Sequence, residues 1–150
     1  MLTDQVKNMI NRSVLCWLAT SHDNQPNVSP KEIFTYHDDR LIIANIASPQ
    51  SVNNIQQNNA VCVSFIDILS QKGYKVTGTA QIIMPNDNAF TPLHSVFSPM
   101  VQDKFTILSM IDITPTAIYP ILAPSYTYYP DTSEIAMIEQ AKAAYFKHDN

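Results

Sequence analysis

Lysine, serine and asparagine side chains gather in two short stretches of this chain. The first is Pro26-Asn27-Val28-Ser29-Pro30-Lys31. The second is Ala44-Asn45-Ile46-Ala47-Ser48-Pro49-Gln50-Ser51-Val52-Asn53-Asn54-Ile55. The first reads as the end of a strand in a small closed β-barrel, and the second as a strand running into a helix. Ser48, Gln50 and Ser51 would lie in or beside that helix's first turn. Unpaired N–H groups and the positive end of the helix dipole gather there and favour an anion. One ammonium group, several hydroxyls and a helix start together suit the phosphate of a phosphorylated cofactor.

Other chemistries find less support in the residues. The chain has only two glycines, Gly73 and Gly78. A dinucleotide fingerprint needs three closely spaced ones, and Thr79 stands where a P-loop would carry its lysine. His22, His37, His94 and His148 lack metal-ligand spacing, so no metal site is expected. Ser29 has no histidine near it in sequence to suggest a nucleophile–base pair. Glu32 beside Lys31 reads as a paired surface charge. For Lys31 the alternative to a phosphate contact is a solvated strand lysine, and for Ser48 it is a plain helix cap. Lys75, Thr77 and Thr79 face either a ligand or partner, or simply solvent. Tyr126, Tyr128 and Tyr129 either stack on a ring system or pack as a surface segment.

The chain has 150 residues, 45% hydrophobic and 15% charged, with a net charge of −4. These values fit one globular domain over residues 1–150 and argue against a nucleic-acid-binding face. The N-terminus lacks the apolar stretch of a signal peptide, and no apolar run approaches the roughly 18 residues of a membrane span. The expected location is cytoplasmic, with no membrane partner. Cys16 and Cys62 lie in apolar runs and read as buried thiols.

The elements that must position these residues follow from periodicity. Residues 3–11 form a helix with Val6, Met9 and Ile10 inward and Thr3 at its cap. Strands are expected at 13–20, covered on both faces with Trp17 in the core, and at 28–36, 41–44, 60–66, 74–84 and 105–119. Polar turns fall at 21–25 and 37–40. Ser48 caps a helix with Pro49 at its first position, Val52, Ile55 and Gln56 inward, and Asn58-Asn59 at its end. Gly78 marks a bend or close approach, and Pro115 a bulge or edge. Residues 86–105 suggest short helices broken at Pro92 and Pro99, and 120–130 an extended surface segment. A final helix spans 131–148, with Asp131 and Glu134 as its capping pair and Ile135, Ile138 and Tyr145 as its apolar stripe. Six strands with few helices indicate a mainly β fold, a small barrel flanked by helices.

The order of these elements carries a resemblance. Leu18-Ala19-Thr20, Pro26 to Lys31, Ile43-Ala44-Asn45, Asn54-Ile55 and Gly73-Tyr74-Lys75-Val76-Thr77-Gly78 together resemble the pyridoxamine 5′-phosphate oxidase-like, FMN-binding split-barrel proteins over residues 10–122. The resemblance implies a six-stranded split barrel of Greek-key type and a homodimer with FMN at its interface. It places Val28, Ser29, Pro30 and Lys31 along the ring and ribityl chain, with Ala44 and Asn45 beside them. Ser48, Gln50, Ser51 and Asn54 would hold the phosphate. Gln50 and Ser51 stand where many members carry arginine and lysine, and each lost ionic hydrogen bond weakens binding by roughly 1–3 kcal/mol. The oxidase itself has a longer chain, with a Trp-, Arg- and Pro-rich end that this one lacks. The implied activity is therefore a small FMN-dependent oxidoreductase exchanging electrons with a small molecule, its catalytic side chains unassigned. The alternative is a non-catalytic module binding flavin, haem or a deazaflavin.

Overall fold

The computed structural model describes residues 1–101 and 103–146. The first helix, α1 (Asp4–Arg12), starts at Thr3, whose hydroxyl accepts from the Val6 N–H. It buries Val6, Met9 and Ile10 against the sheet. Seven strands follow, as β1 (Cys16–His22), β2 (Gln25–Lys31), β3 (Phe34–His37), β4 (Arg40–Asn45), β5 (Ala60–Asp67), β6 (Lys72–Ile83) and β7 (Ser109–Leu122). The remaining helices are α2 (Pro49–Gln57), α3 (Phe90–Val101), α4 (Pro124–Tyr128) and α5 (Glu134–Tyr145). No helix among the described residues is long and apolar enough to cross a membrane.

The strands form one antiparallel sheet in the order β2-β1-β5-β6-β7-β4-β3. Strands β5, β6 and β7 are consecutive neighbours and β4 lies against β7, which is a Greek-key arrangement. The sheet has seven strands rather than six, and it does not close. The single strand expected over 28–36 is in fact two. Its first half pairs with β1 and its second half with β4. The chain turns between them at Glu32–Ile33, so the two sheet edges are joined covalently instead of by a ladder. The Ile33 carbonyl already accepts from the Ala44 N–H at 2.9 Å.

Two apolar clusters flank the sheet. One packs α1 with Leu18, Phe34, Val63, Phe65, Val76 and Ile111 on one side. The other packs Leu93, Phe97 and Val101 of α3 on Ile42, Ala44, Ile83 and Met110. Strand β4 is buried on both sides, which explains its unbroken apolar run. The run in β1 has a different cause. Its interior residues Cys16 and Leu18 are buried, but Trp17 is 47% exposed and Val14 is exposed too. The core position expected for Trp17 is therefore wrong, and Cys62 is only half-buried.

Other details depart from the periodic reading. Strands β1 and β2 join through Asp23 and Asn24, both at positive φ, as a two-residue hairpin requires. Helix α3 runs through Pro92 and Pro99 without breaking. Pro92 sits in its first turn, where a missing N–H costs little. Ile55 of α2 is buried as expected, but Val52 is half-buried and Gln56 exposed, and Ser51 and Asn54 take the other inward positions. The segment expected to be extended contains α4. Helix α5 is capped by Ser133, whose hydroxyl accepts from the Ala136 N–H at 3.1 Å, and not by Asp131. It buries Met137 and Ala141 rather than the stripe of Ile135, Ile138 and Tyr145. Its expected end at His148 lies outside the described residues. Glu134 anchors the first turn of α5, accepting from Arg12 at 2.7 Å and Lys72 at 3.2 Å. The Arg12 hydrogen bond, followed by that from Lys72, holds the Glu134 carboxyl below its usual range.

Gly78 carries the irregularity that shapes β6 and β7. Thr77 pairs with Ala117, whereas Gly78 pairs with Pro115, leaving Thr116 as an extra residue in the ladder. A Cβ on Gly78 would sit 2.4 Å from the Thr114 carbonyl oxygen. Gly78→Ala is therefore expected to destabilise the fold by about 1–3 kcal/mol, because backbone has to move. Urea denaturation checks this, and an unchanged midpoint would contradict the close approach.

Candidate functional site

Alternation along β2 divides the first sequence stretch between two faces. Asn27, Ser29 and Lys31 lie opposite Thr20, Leu18 and Cys16, on the side covered by α2. Val28 and Pro30 lie opposite Ala19 and Trp17, on the other side. Val28 is 60% exposed there. The residues expected to line one pocket therefore do not all meet in one place.

On the α2 side they form a connected polar seam. Lys31 Nζ donates to Ser48 Oγ. The Ser48 N–H donates to Asn45 Oδ1 at 3.0 Å, and Asn45 Nδ2 donates to Ser109 Oγ at 2.9 Å. Ser29 Oγ and Ser51 Oγ are 3.0 Å apart. Gln50 Nε2 donates to Asn54 Oδ1 at 2.8 Å, and Asn54 Nδ2 to Thr20 Oγ1 at 3.0 Å. Ser48 does occupy the cap position of α2, but its side chain makes no capping bond. The hydroxyl that would satisfy the helix accepts from the lysine instead.

This arrangement concentrates positive potential. The first-turn N–H groups of Gln50 and Ser51 have no intrahelical acceptor, and Pro49 has no N–H to offer. The Lys31 ammonium lies at the same positive end of the dipole, which is unfavourable for a cation. Lys31 is 5% exposed, and no carboxylate is within ion-pair reach of it among the described residues. Burial lowers its pKa from 10.5, while the nearby Cys16 acts in the opposite sense. Burial pushes the Cys16 thiol up to about 12, with the Lys31 charge pulling it down. A buried cation beside a helix start is chemically fitted to receive an anion.

A cavity of about 210 Å³ opens onto this point. Pro30, Lys31, Ala44 and Ser48 line it among the expected residues, together with Glu32, Ile33, Ile46, Ala47 and Phe105. Glu32, Ile33, Ile46 and Ala47 adjoin or fall inside the two polar stretches, so extending those stretches finds them. Phe105 carries no such signal, because it reaches the cavity from the connection between α3 and β7. Thr20 and Ser109 are buried members of the seam that residue type alone did not single out. None of Tyr126, Tyr128 and Tyr129 lines the cavity. Tyr126 Oη donates to the Ser70 carbonyl at 2.6 Å and its ring lies under Lys72, while Tyr128 and Tyr129 are exposed. Among the described residues, no cluster of His, Cys, Asp or Glu could hold a metal ion.

Comparison with known proteins places this geometry in context. Residues 2–120 match the family described as pyridoxamine 5′-phosphate oxidase. No curated protein matches the sequence significantly. Among solved structures, HupZ of Group A Streptococcus is 25% identical, with a TM-score of 0.68 over 82% of this chain and 96% of its own. An F420 reductase is 21% identical, with a TM-score of 0.61 over 78% and 98%. An FMN-binding protein from Syntrophomonas wolfei is 15% identical, with a TM-score of 0.67 over 81% and 87%.

The electrostatics of Lys31 give a test that needs no ligand. Replacing a buried, unpaired ammonium by an apolar side chain of similar length removes a desolvation cost, so Lys31→Met should stabilise the ligand-free protein by about 1 kcal/mol at neutral pH. The native pKa lies below the unfolded one. The cost is therefore full at lower pH and fades as pH rises through the native pKa toward 10.5. Urea midpoints across that range should show the advantage of methionine shrinking. A variant less stable than wild type at neutral pH would show that the lysine is already well satisfied.

Proposed function

Since the chain belongs to the pyridoxamine 5′-phosphate oxidase family, we propose that it is a flavoprotein that binds FMN and works as a small oxidoreductase. The observation that carries this reading is the buried Lys31 ammonium at the start of α2. Phosphate brings the negative charge that this point otherwise lacks. Lys31 Nζ, the Gln50 and Ser51 N–H groups and the hydroxyls of Ser29, Ser48 and Ser51 are the donors available to it. Ala44, Asn45 and Asn54 fix the positions of those donors. Bound FMN supplies hydride and electron chemistry, and the protein supplies position and shielding from water. Pro30, Ile33 and Phe105 give the apolar wall beside the lysine.

A second protomer completes the site in this reading. Two cross-strand rows on the outer sheet face, Val28-Ala19-Cys62-Thr77-Ala117 and Pro30-Trp17-Ser64-Lys75-Tyr119, contain Lys75 as their only charged residue. Its ammonium lies 4.8 Å from the centre of the Tyr119 ring. A groove of about 510 Å³ runs along this face past Ala19, Cys62 and Thr77. Low charge and exposed aromatics suit the centre of an interface. A homodimer across this face brings Val28 and Pro30 of the two copies toward the ring of the cofactor. Because the donors around Lys31 recognise phosphate and not the ring, a deazaflavin phosphate is the second reading.

Fluorescence titration of the ligand-free protein with FMN and with riboflavin tests the phosphate role. Wild type should prefer FMN by at least about tenfold, the value of one charge-assisted hydrogen bond. Lys31→Met should lose that preference while still binding riboflavin as wild type does. FMN affinity should also fall as alkaline pH removes the Lys31 proton. Equal affinity of the variant and wild type for FMN would remove the lysine from the site, and reduction of the bound flavin by a nicotinamide donor separates an enzyme from a store.

A further inference from the structure

A cavity of about 370 Å³ opens between α1, the start of α5 and the paired ends of β6 and β7. Tyr74 pairs with Pro120 and Lys72 with Leu122, so alternation sets these residues on the α1 side of the sheet, away from Lys75 and Tyr119. The cavity shares no lining residue with the one beside Lys31. Its wall is divided by chemistry. Met9, Tyr74, Pro120 and Leu122 give an apolar side, and Arg12 and Lys72 bring two cations. Both cations are turned on one carboxylate. Glu134 Oε1 accepts from Arg12 Nη2 at 2.7 Å, and Glu134 Oε2 accepts from Lys72 Nζ at 3.2 Å. Arg12 uses the same Nη2 for Asp67, so its Nε and Nη1 donors have no acceptor among the described residues.

We propose that this cavity binds a small carboxylic acid with an apolar body, and that Glu134 holds the carboxylate position until the ligand arrives. Glu134 itself shows that a carboxylate fits between the two cations, one oxygen on each. The tether that brings it there is slight. Helix α5 fully buries only Met137 and Ala141. The Arg12, Glu134 and Lys72 side chains are 40%, 35% and 31% exposed. Ion pairs this open to water contribute little, so an incoming carboxylate replaces Glu134 at small cost. Charge sets the class of ligand. With Glu134 withdrawn, Arg12 and Lys72 are balanced only by Asp67, which contacts Arg12 and pairs with Lys72 across the ladder. One positive charge is then left over, and one carboxylate neutralises it. The apolar body follows from Met9, Tyr74, Pro120 and Leu122, whose burial supplies the affinity that exposed ion pairs lack. This site does not depend on flavin binding.

Amide NMR titration of the full-length chain with phenylacetate tests the site. Wild type should show saturable shifts at Gly73 and Glu134. Acetate lacks the apolar body and phenylacetamide lacks the charge, so neither should saturate over the same concentrations. Glu134→Ala should bind phenylacetate at least about threefold more tightly than wild type, because an internal competitor of the strength of an exposed ion pair has gone. A gain in affinity also shows that this variant is folded. Adding Lys72→Met to Glu134→Ala should weaken binding by at least about threefold, with the dispersion of the spectrum reporting the fold. The proposal is overturned by any of four results. These are no saturable shift in wild type or Glu134→Ala, a Glu134→Ala variant that binds no better than wild type, phenylacetamide or acetate binding as tightly as phenylacetate, or full affinity kept by a folded Lys72→Met variant.

Discussion

A buried ammonium group placed against the positive end of a helix is the constraint on which the rest of this molecule depends. Desolvation and the dipole both disfavour the charge on Lys31, and no acidic side chain among the described residues offsets them. A fold optimised only for stability would place an apolar residue there. Retaining the lysine makes chemical sense when a negatively charged partner enters the same space. The surrounding hydroxyls and amides are then donors held in advance for that partner, and their mutual hydrogen bonds keep them satisfied until it arrives.

The architecture exists to hold that point open. Strand β2 leaves the sheet at Lys31, and the chain turns at Glu32–Ile33 before rejoining it as β3. A closed ladder would have sealed the gap with backbone bonds. Helix α2 packs beside it on β1 and β2, bringing Ser51 and Asn54 inward against those strands. The double-sided burial of β4 fixes Ala44 and Asn45 rigidly, because apolar clusters grip the strand from both faces. The Gly78 bulge lets β7 follow the twist of β6 into a single wall.

Much of the fold was legible because local patterns and tertiary packing agree. The alternation in β6, the cap of α1, the Pro49 start of α2, the hairpins and the bulge partners Gly78 and Pro115 all have causes within a few residues. The misreadings arose where long-range context decided. An apolar run cannot reveal whether its second face is covered, so Trp17 seemed buried. Nothing between 28 and 36 states that two halves pair with different neighbours, which hid the seventh strand. Spacing alone suggested the stripe of Ile135, Ile138 and Tyr145, but only the packed body shows that α5 turns Met137 and Ala141 inward, with Ile138 half-buried and Ile135 exposed. For the site, residue chemistry located Lys31 and the start of α2. It could not separate Ser29 and Lys31 from Val28 without the strand's face assignment. Phe105 arrives from a distant connection and left no trace near the two stretches.

The central claim is that Lys31 and the first turn of α2 receive a phosphate. A crystal structure of the protein soaked in FMN measures this most directly. The account predicts phosphate oxygens within hydrogen-bonding distance of Lys31 Nζ and of the Gln50 and Ser51 N–H groups, with the Lys31–Ser48 contact opened or shared. Phosphate bound elsewhere, or a Lys31–Ser48 contact unchanged in a fully occupied flavin complex, would contradict it.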